Sequence, residues 1–396
     1  MMKKIVLAYS GGLDTSYCVK YLSAELDYEV HAITVDTGGF SPVELSEMEA
    51  RAFQLGATSY KAVDVTKDYY DQCLRYLVFG NCLRYQTYPM SVSAERMFQA
   101  ITTAKYATEI GATAVAHGST GAGNDQVRFD LAFELLGNDL EIITPIRDQQ
   151  LSRETEIAYL AKHGLEWPEK KGKYSINAGL WGTSVGGTET LTSDQPLPEE
   201  AWPEPLTTQE PLELSLQFEA GEFVGFNEQN FEHPVAAIQA LEEQLKPYGI
   251  GRDIHVGDTI IGIKGRVGFA AAAPMLIIKG HHLLEKHTLA KWQLFWKEQL
   301  ANWYGMMLHE GQLLDPVMRD IEAFMASSQD VVNGSVLVKI HPHRFELQGV
   351  KSPNDLLGAG FGAYGEMNKG WSGEDVRGFT KIMSIAGRIR NQVNSK

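Results

Sequence analysis

The sequence predicts an α/β protein: a helix-covered parallel sheet, then a second domain of α+β type, then an amphipathic helix. Three observations carry this expectation. Short apolar runs alternate with helical patterns over the first 165 residues, a proline-rich segment interrupts the pattern near residue 200, and strand-like runs dominate the remainder of the chain. Ile5-Val6-Leu7-Ala8 suits a buried parallel strand, and Tyr17-Cys18-Val19-Lys20-Tyr21-Leu22 resumes at helical spacing in a helix starting from Thr15. Glu29 to Asp36 predicts the second strand, a helix follows near Ser46–Leu55, and Ser59–Val63 predicts the third strand. A long helical region runs between Ala94 and Ile110, and Ala114–His117 and Glu141–Pro145 complete the alternation. In such a sheet, ligands gather at the carboxyl ends of the strands.

Pro196, Pro198, Pro203, Pro205 and Pro211 crowd into a Glu- and Thr-rich stretch between Thr190 and Pro211, which predicts an extended surface excursion. Beyond it, Leu212–Phe218, Thr259–Ile263, Met275–Ile278, Ser335–Ile340 and Phe345–Gly349 are expected as strands. Leu289, Trp292, Trp296, Leu300, Trp303 and Met307 recur at helical spacing and predict a packed helix face rather than a cofactor box. A last stripe, Val376, Phe379, Ile382, Met383, Ala386, Ile389 and Val393, comes after the final core element and is expected to dock on another subunit. The domains are therefore expected at 1–165, 166–368 and 369–396.

Composition narrows the function. The 396 residues are 44% hydrophobic and 21% charged, as in an ordinary globular protein. Fifty acidic residues against 35 basic ones give a net charge of −15, and the one dense basic run is Glu169 to Lys173. That argues against a nucleic-acid substrate, which is held largely by clustered positive charge. Cys18, Cys73 and Cys82 form no C-x-x-C pair and no secretory leader precedes the first strand, so a cytoplasmic location is expected. No stretch approaches the roughly 18 apolar residues of a membrane span. His281, His282 and His287, and His341 and His343, lack acidic or thiol companions at ligand spacing and are expected at the surface or an interface. No metal site is expected from the protein alone.

Two segments carry chemistry. After the first strand, Ser10-Gly11-Gly12-Leu13-Asp14-Thr15-Ser16 joins two glycines and three hydroxyls to a helix start, where free N–H groups suit phosphate oxygens. It is neither a Walker loop nor a dinucleotide fingerprint. After a later strand, Gly118 to Arg128 supplies three glycines, then an amide, a carboxylate and a guanidinium: Asn124 for a ureido or amide group, Asp125 for an ammonium, Arg128 for a carboxylate. The plainer reading is a polar loop in which Asn124 or Asp125 caps a helix.

The first segment resembles the pyrophosphate loop of the N-type ATP pyrophosphatases. Together, A-Y-S-G-G-L-D-T-S and A-H-G-x-T-G-x-G-N-D-Q-V-R-F resemble the argininosuccinate synthase family, and the similarity continues through Pro145-Ile146-Arg147-Asp148, Tyr174–Asn177, Ser184–Gly187, Gly249–Arg252 and the C-terminal helix. The resemblance implies an adenine nucleotide alpha hydrolase-like domain, a synthetase domain and a homotetramer. It implies that ATP, with Mg²⁺, activates the ureido oxygen of citrulline as citrullyl-AMP with loss of pyrophosphate. The amine of aspartate then displaces AMP, giving argininosuccinate in arginine biosynthesis.

Carried over by position, Ala8, Tyr9, Ser10, Gly11, Gly12, Leu13, Asp14, Thr15 and Ser16 hold ATP, with Gly118 near the nucleotide and Thr34 or Val35 beside the adenine. Thr120, Asn124 and Asp125 bind aspartate. Asn124, Arg128, Ser175, Ser184, Ser91 and either Tyr85 or Tyr88 face citrulline. Asp14, Asn124 and Asp125 are the catalytic candidates, Asp125 as the group that orients the attacking amine.

The departures matter. Ala122 stands for the usual lysine, and Ser175-Ile176-Asn177-Ala178-Gly179-Leu180 for S-x-D-x-N-L. Gly257 and Phe269 stand where the family places a glutamate and a tyrosine against the α-amino acid end of citrulline, and Ala270 to Ala273 come next. Two substrate readings result: free citrulline with another acid such as Glu189 or Glu219 as replacement, or an N-acetyl- or N-succinylcitrulline whose α-nitrogen is uncharged. Losing a charged hydrogen bond to free citrulline costs about 1.5–3 kcal/mol. A tRNA-modifying transferase on the same loop is opposed by the acidic charge and the N-D-Q-V-R segment, and a non-catalytic nucleotide-binding regulator by the intact phosphate loop.

Overall fold

The computed structural model describes residues 3–137, 139–167, 173–360 and 370–395. The first half is a five-stranded, fully parallel sheet of β1 (Lys4–Ala8), β2 (Glu29–Asp36), β3 (Ser59–Asp64), β4 (Ala114–Ala116) and β5 (Glu141–Ile143), in the order β3-β2-β1-β4-β5. Chain order reverses direction at β1, so the crevice between the ends of β1 and β4 is the ligand position of an open α/β sheet. Alternation along the strands divides the core. Ile5, Leu7, Val30 and Ala32 face a cluster with the helix Leu13–Ala24, while Val6, Ile33, Val35 and Val115 face a larger one. That larger core continues into the second half, reaching Trp181, Phe269 and Tyr304.

The second half holds two antiparallel sheets. One is ordered β10-β9-β8-β13-β14, from β8 (Leu212–Glu219), β9 (Glu222–Phe226), β10 (Gln229–Asn230), β13 (Gly334–His341) and β14 (Arg344–Lys351). The other is ordered β11-β12-β7-β6, from β6 (Ser175–Gly179), β7 (Gly182–Gly186), β11 (Arg252–Asp258) and β12 (Lys264–Ala270). The Pro-rich stretch is irregular apart from short 3₁₀ turns at Thr188–Leu191 and Glu199–Ala201, and it is tied down by Arg266, whose Nη1 donates to the carbonyls of Glu189 and Thr192.

Three expectations fail here. Thr259–Ile263 is the turn between β11 and β12, not a strand. Met275–Ile278 lies within the helix Ala272–Thr288, where a four-residue apolar run reads the same as a buried strand until Gly280, His281, Leu284 and Thr288 extend it at helical spacing. The helix Lys291–His309 buries Lys297, Ala301, Tyr304, Gly305 and Leu308, leaving Trp292, Trp296 and Trp303 exposed at 64%, 57% and 59%. Periodicity gives the angle between side chains, not which stripe faces the core. Beyond them the last stripe is divided between the helices Gly373–Met383 and Ile385–Asn394, and its residues from Val376 to Val393 are exposed or nearly so. The basic run Glu169–Lys173, apart from Lys173, lies outside the described residues. Among those described, no helix is long and apolar enough to cross a membrane.

His281 also departs from expectation, being fully buried and having an acidic companion, Glu285, at i+4. Its Nδ1 faces Asn81 Oδ1 at 2.7 Å and its Nε2 faces Gln329 Oε1 at 2.9 Å. Glu285, one helical turn on, accepts from Gln329 Nε2 at 3.0 Å and Asn81 Nδ2 at 2.5 Å, and pairs with Lys297 Nζ at 2.6 Å. Lys297 also donates to the Phe79 carbonyl at 2.6 Å. The network bolts the end of the helix Arg75–Phe79 to the second half.

Candidate active site

At the carboxyl end of β1 the chain turns through Gly11, whose φ of +68° suits glycine. The helix Leu13–Ala24 starts at Gly12 with no side-chain cap. Its first N–H groups are therefore left for a ligand. Ser10 Oγ lies 3.2 Å from Thr15 Oγ1, and Gly12 N donates to Ser10 Oγ at 3.4 Å. Ser10 is exposed and Gly12 and Asp14 half-buried, whereas Tyr9, Leu13 and Ser16 belong to the core. The loop after β4 closes against this turn: a Cβ on Gly118 would sit 3.0 Å from Thr15 Cγ2 and 3.2 Å from Thr15 N. Thr34 and Val35 are both buried, and the Thr34 hydroxyl donates to the Tyr9 carbonyl at 2.8 Å, supporting the loop from beneath.

Under the loop lies Glu156, 3% exposed, in the helix Arg153–Lys162. Burial, and then the charge of Asp14, push its carboxyl up to about 8. An acid raised in the folded state stabilises below its unfolded value of 4.5 and loses that stabilisation as pH rises toward 8. Glu156→Gln, which carries no proton to lose, is therefore expected to match the parent's melting temperature near about pH 5 and exceed it near about pH 8. Parallel melting curves across that range would refute the assignment.

Beside the second motif is a cavity of about 280 Å³ assembled from distant segments. Asn124 occupies the N-cap position of the helix Asp125–Leu136 without capping it; its Oδ1 accepts from Ile260 N at 2.8 Å and so fixes the β11–β12 turn. Asp125 accepts from Arg96 Nε at 3.1 Å and Arg128 Nη1 at 2.8 Å. Burial alone would raise its pKa, but the two guanidinium charges override it and hold the carboxyl below its ordinary range. Arg96 continues to Glu95 Oε1 at 2.8 Å and Asn177 Oδ1 at 3.1 Å. Burial pushes Glu95 up to about 7 against the pull of Arg96.

The opposite wall comes from an irregular loop. Tyr85 and Gln86 adopt left-handed backbone, so Arg84 and Tyr88 pair across a tight turn and both line the cavity. Tyr88 stacks on His255 with centroids 4.9 Å apart, and Tyr85 on the same ring at 5.9 Å. Burial, then Arg84, lower the His255 pKa to about 4, so the ring is neutral near pH 7. His309 meets Ser93 Oγ through Nδ1 at 3.0 Å, and its pKa too is pushed far down by burial and by Arg128.

The structure thus brings Asn124, Asp125, Arg128, Ser184, Tyr88 and Gly257 to one cavity. It does not bring the others. Ser91 is fully buried with its hydroxyl on Tyr88 Oη, whereas Ser93 lines the cavity. Ser175 is exposed at the start of β6 and does not line the cavity, whereas Asn177 does. Thr120 is exposed on the loop and outside the cavity lining. Phe269 is buried behind Tyr88 in an edge-on contact at 5.3 Å and does not line the cavity. Arg128 is no free clamp: Nε and Nη2 donate to the His309 carbonyl at 3.0 and 2.8 Å, and Nη1 holds Asp125. Arg84, His255, Arg266 and His309 carry no local sequence signal, since each joins the site through tertiary contact alone.

A parallel α/β domain with a glycine turn and an uncapped helix start at its switch point, joined to a second half that completes an amino-acid-sized polar cavity, is the architecture of a nucleotide-using enzyme class. Comparison with known proteins is specific. The family model described as the arginosuccinate synthase N-terminal HUP domain matches residues 4–166, and that of the arginosuccinate synthase C-terminal domain matches residues 174–390. The chain is 37% identical to an argininosuccinate synthase of Xanthomonas campestris pv. campestris over 405 residues, covering 99% of both chains. It is 35% identical to one of Methanocaldococcus jannaschii over 359 residues, covering 90% of each. The chain belongs to the argininosuccinate synthase family.

Proposed function

We propose that the protein is an ATP-dependent ligase that joins a ureido amino acid of the citrulline type to aspartate, releasing AMP and pyrophosphate, in arginine biosynthesis. The observation that carries this reading is the meeting of the phosphate loop and the Gly118–Arg128 segment at the β1/β4 crevice. The ureido oxygen attacks the α-phosphorus of ATP and pyrophosphate leaves. The aspartate amine then attacks the activated ureido carbon, the bond to AMP breaks, and the amine proton is lost. Ser10, Gly11, Gly12 and the helix N-terminus at Leu13 hold the departing pyrophosphate. Asn124 positions the ureido group, and Asp125, kept ionised, orients the amine.

Mg²⁺ enters as the partner of ATP. Among the described residues no cluster of three His, Cys, Asp or Glu side chains would hold an ion unaided, so the donors on offer are Asp14 and the loop hydroxyls beside phosphate oxygens. Bound there, it neutralises charge on the leaving pyrophosphate. The test is stoichiometric release of AMP and pyrophosphate, dependent on both aspartate and a ureido substrate. Release of ADP, or none, would overturn the reading.

We further propose a cytoplasmic homotetramer. The exposed Trp292–Trp296–Trp303 stripe and the exposed terminal stripe are apolar surfaces that association would cover, and the three free cysteines are all buried. Light scattering is expected to give four chains for the intact protein and fewer after removal of residues 370–396. An unchanged mass in the truncated chain would remove the helix from the interface.

A further inference from the structure

With Asp125 given to the aspartate amine, the described lining of the cavity has no spare anion for the α-ammonium of a ureido substrate. Among the described residues, its lining includes two carboxylates, Asp125 and Asp258. Asp125 is held by two guanidinium groups, and Asp258 by Lys264 at 2.6 Å with Tyr85 Oη at 3.3 Å. Glu189 and Glu219, the two other acids that the sequence offered, do not line it. Glu189 pairs with Lys173 at 3.3 Å, and Glu219 ends β8.

Arg84 lines the same cavity. Its Nη2 donates to the Asp258 carbonyl at 2.8 Å, while its Nη1 is buried without a partner. A buried guanidinium N–H left unpaired is costly, and because Arg84 lines the cavity a ligand oxygen there would offset that cost. The neighbouring position is closed to an acidic side chain. A Cβ on Gly257 would lie 2.7 Å from His255 Nε2 and 3.2 Å from Tyr85 Cε2 in the stacked wall. Free citrulline could offer Arg84 its α-carboxylate, but its ammonium would then stand beside a guanidinium, and both carboxylates of the described lining already have cationic partners.

We propose that the ureido substrate carries an acyl group on its α-nitrogen, and that an oxygen of this acyl group accepts from Arg84 Nη1. The proposal rests on the ligase reading above and specifies its substrate class. Acylation removes the α-ammonium charge, adds a carbonyl oxygen, and leaves the ureido chemistry untouched.

The experiment measures AMP release from Mg-ATP and aspartate with citrulline, N-acetylcitrulline and N-succinylcitrulline, in the parent and in Arg84→Ala. The expected result is a kcat/KM for one or both acyl forms at least about tenfold above that for citrulline, a difference that Arg84→Ala largely removes. A larger loss with the succinyl form than with the acetyl form places its terminal carboxylate on Arg84; equal losses place the acyl carbonyl there. Citrulline used as well as either acyl form would overturn the proposal while leaving the ligase reading intact. An acyl preference undiminished in Arg84→Ala would overturn Arg84 as the contact. Silence with all three substrates would sink the ligase reading itself.

Discussion

Asp125→Ala is expected to lower kcat/KM for aspartate by about 10²–10³-fold, the scale seen when a preorganised charged group is lost from a site. Asp125 sits one residue after Asn124 and is fixed from two sides by Arg96 and Arg128. Those two arginines pin it against the helix Ser93–Glu109 and, through Arg128, against the carbonyl of His309. Removing the carboxylate leaves two neighbouring guanidinium groups without the anion they share. They repel each other, and they replace an anion that should meet an ammonium with two cations that should not.

The loss is expected mostly in KM for aspartate if Asp125 binds the ammonium, and mostly in kcat if it aims the amine during attack. Asp125→Asn keeps the shape and one acceptor but offers an N–H to one arginine, so it should fall between the parent and alanine. A steady-state comparison at saturating ATP decides this. A kcat/KM for Asp125→Ala within threefold of the parent would exclude Asp125 from the reaction.

Much of this site could be read along the chain because its strongest parts are contiguous. The phosphate loop is one strand end and one helix start, and Asn124, Asp125 and Arg128 occupy a single turn of helix. Spacing therefore carries their geometry. The parallel sheet was legible for the same reason, although alternation alone gives no strand order. The hidden parts depend on distant segments. Arg84 is eligible only because Tyr85 and Gln86 turn left-handed, and His309 only because the end of its helix meets Arg128. That Ser93 rather than Ser91 lines the cavity is hidden for the same reason, since sequence position in an irregular loop does not fix which side chain faces inward. The Trp292–Trp303 stripe shows a different limit: a helix with apolar residues on more than one face leaves the buried face undetermined until its neighbours are placed.

The buried network around Glu285 was equally invisible, because its members lie on four separate segments, and it yields the largest stability effect expected. Lys297→Met should destabilise the fold by about 3–5 kcal/mol, the cost of leaving a buried charge without its partner. Burial by itself would raise the Glu285 pKa. The charge of Lys297, with hydrogen bonds from Gln329 and Lys297, holds it below the ordinary range, so the carboxylate is ionised in the folded protein, whereas burial lowers His281 to about 4 and leaves its ring neutral near pH 7. Methionine fills much of the lysine stem's volume, so the change removes charge rather than packing, and it also strands the Phe79 carbonyl.

The companion variant Lys297→Met with Glu285→Gln separates charge from shape. A neutral amide at 285 needs no cation, so the pair should recover a substantial part of the loss. Denaturant midpoints at one fixed protein concentration provide the measurement, because subunit association would otherwise shift them. If Lys297→Met lies within about 0.5 kcal/mol of the parent, the site is wetter than its burial implies and the bolt between the two halves is not electrostatic. If the single change is costly and the double change no better, the lost contact with Phe79, rather than the stranded carboxylate, holds the two halves together.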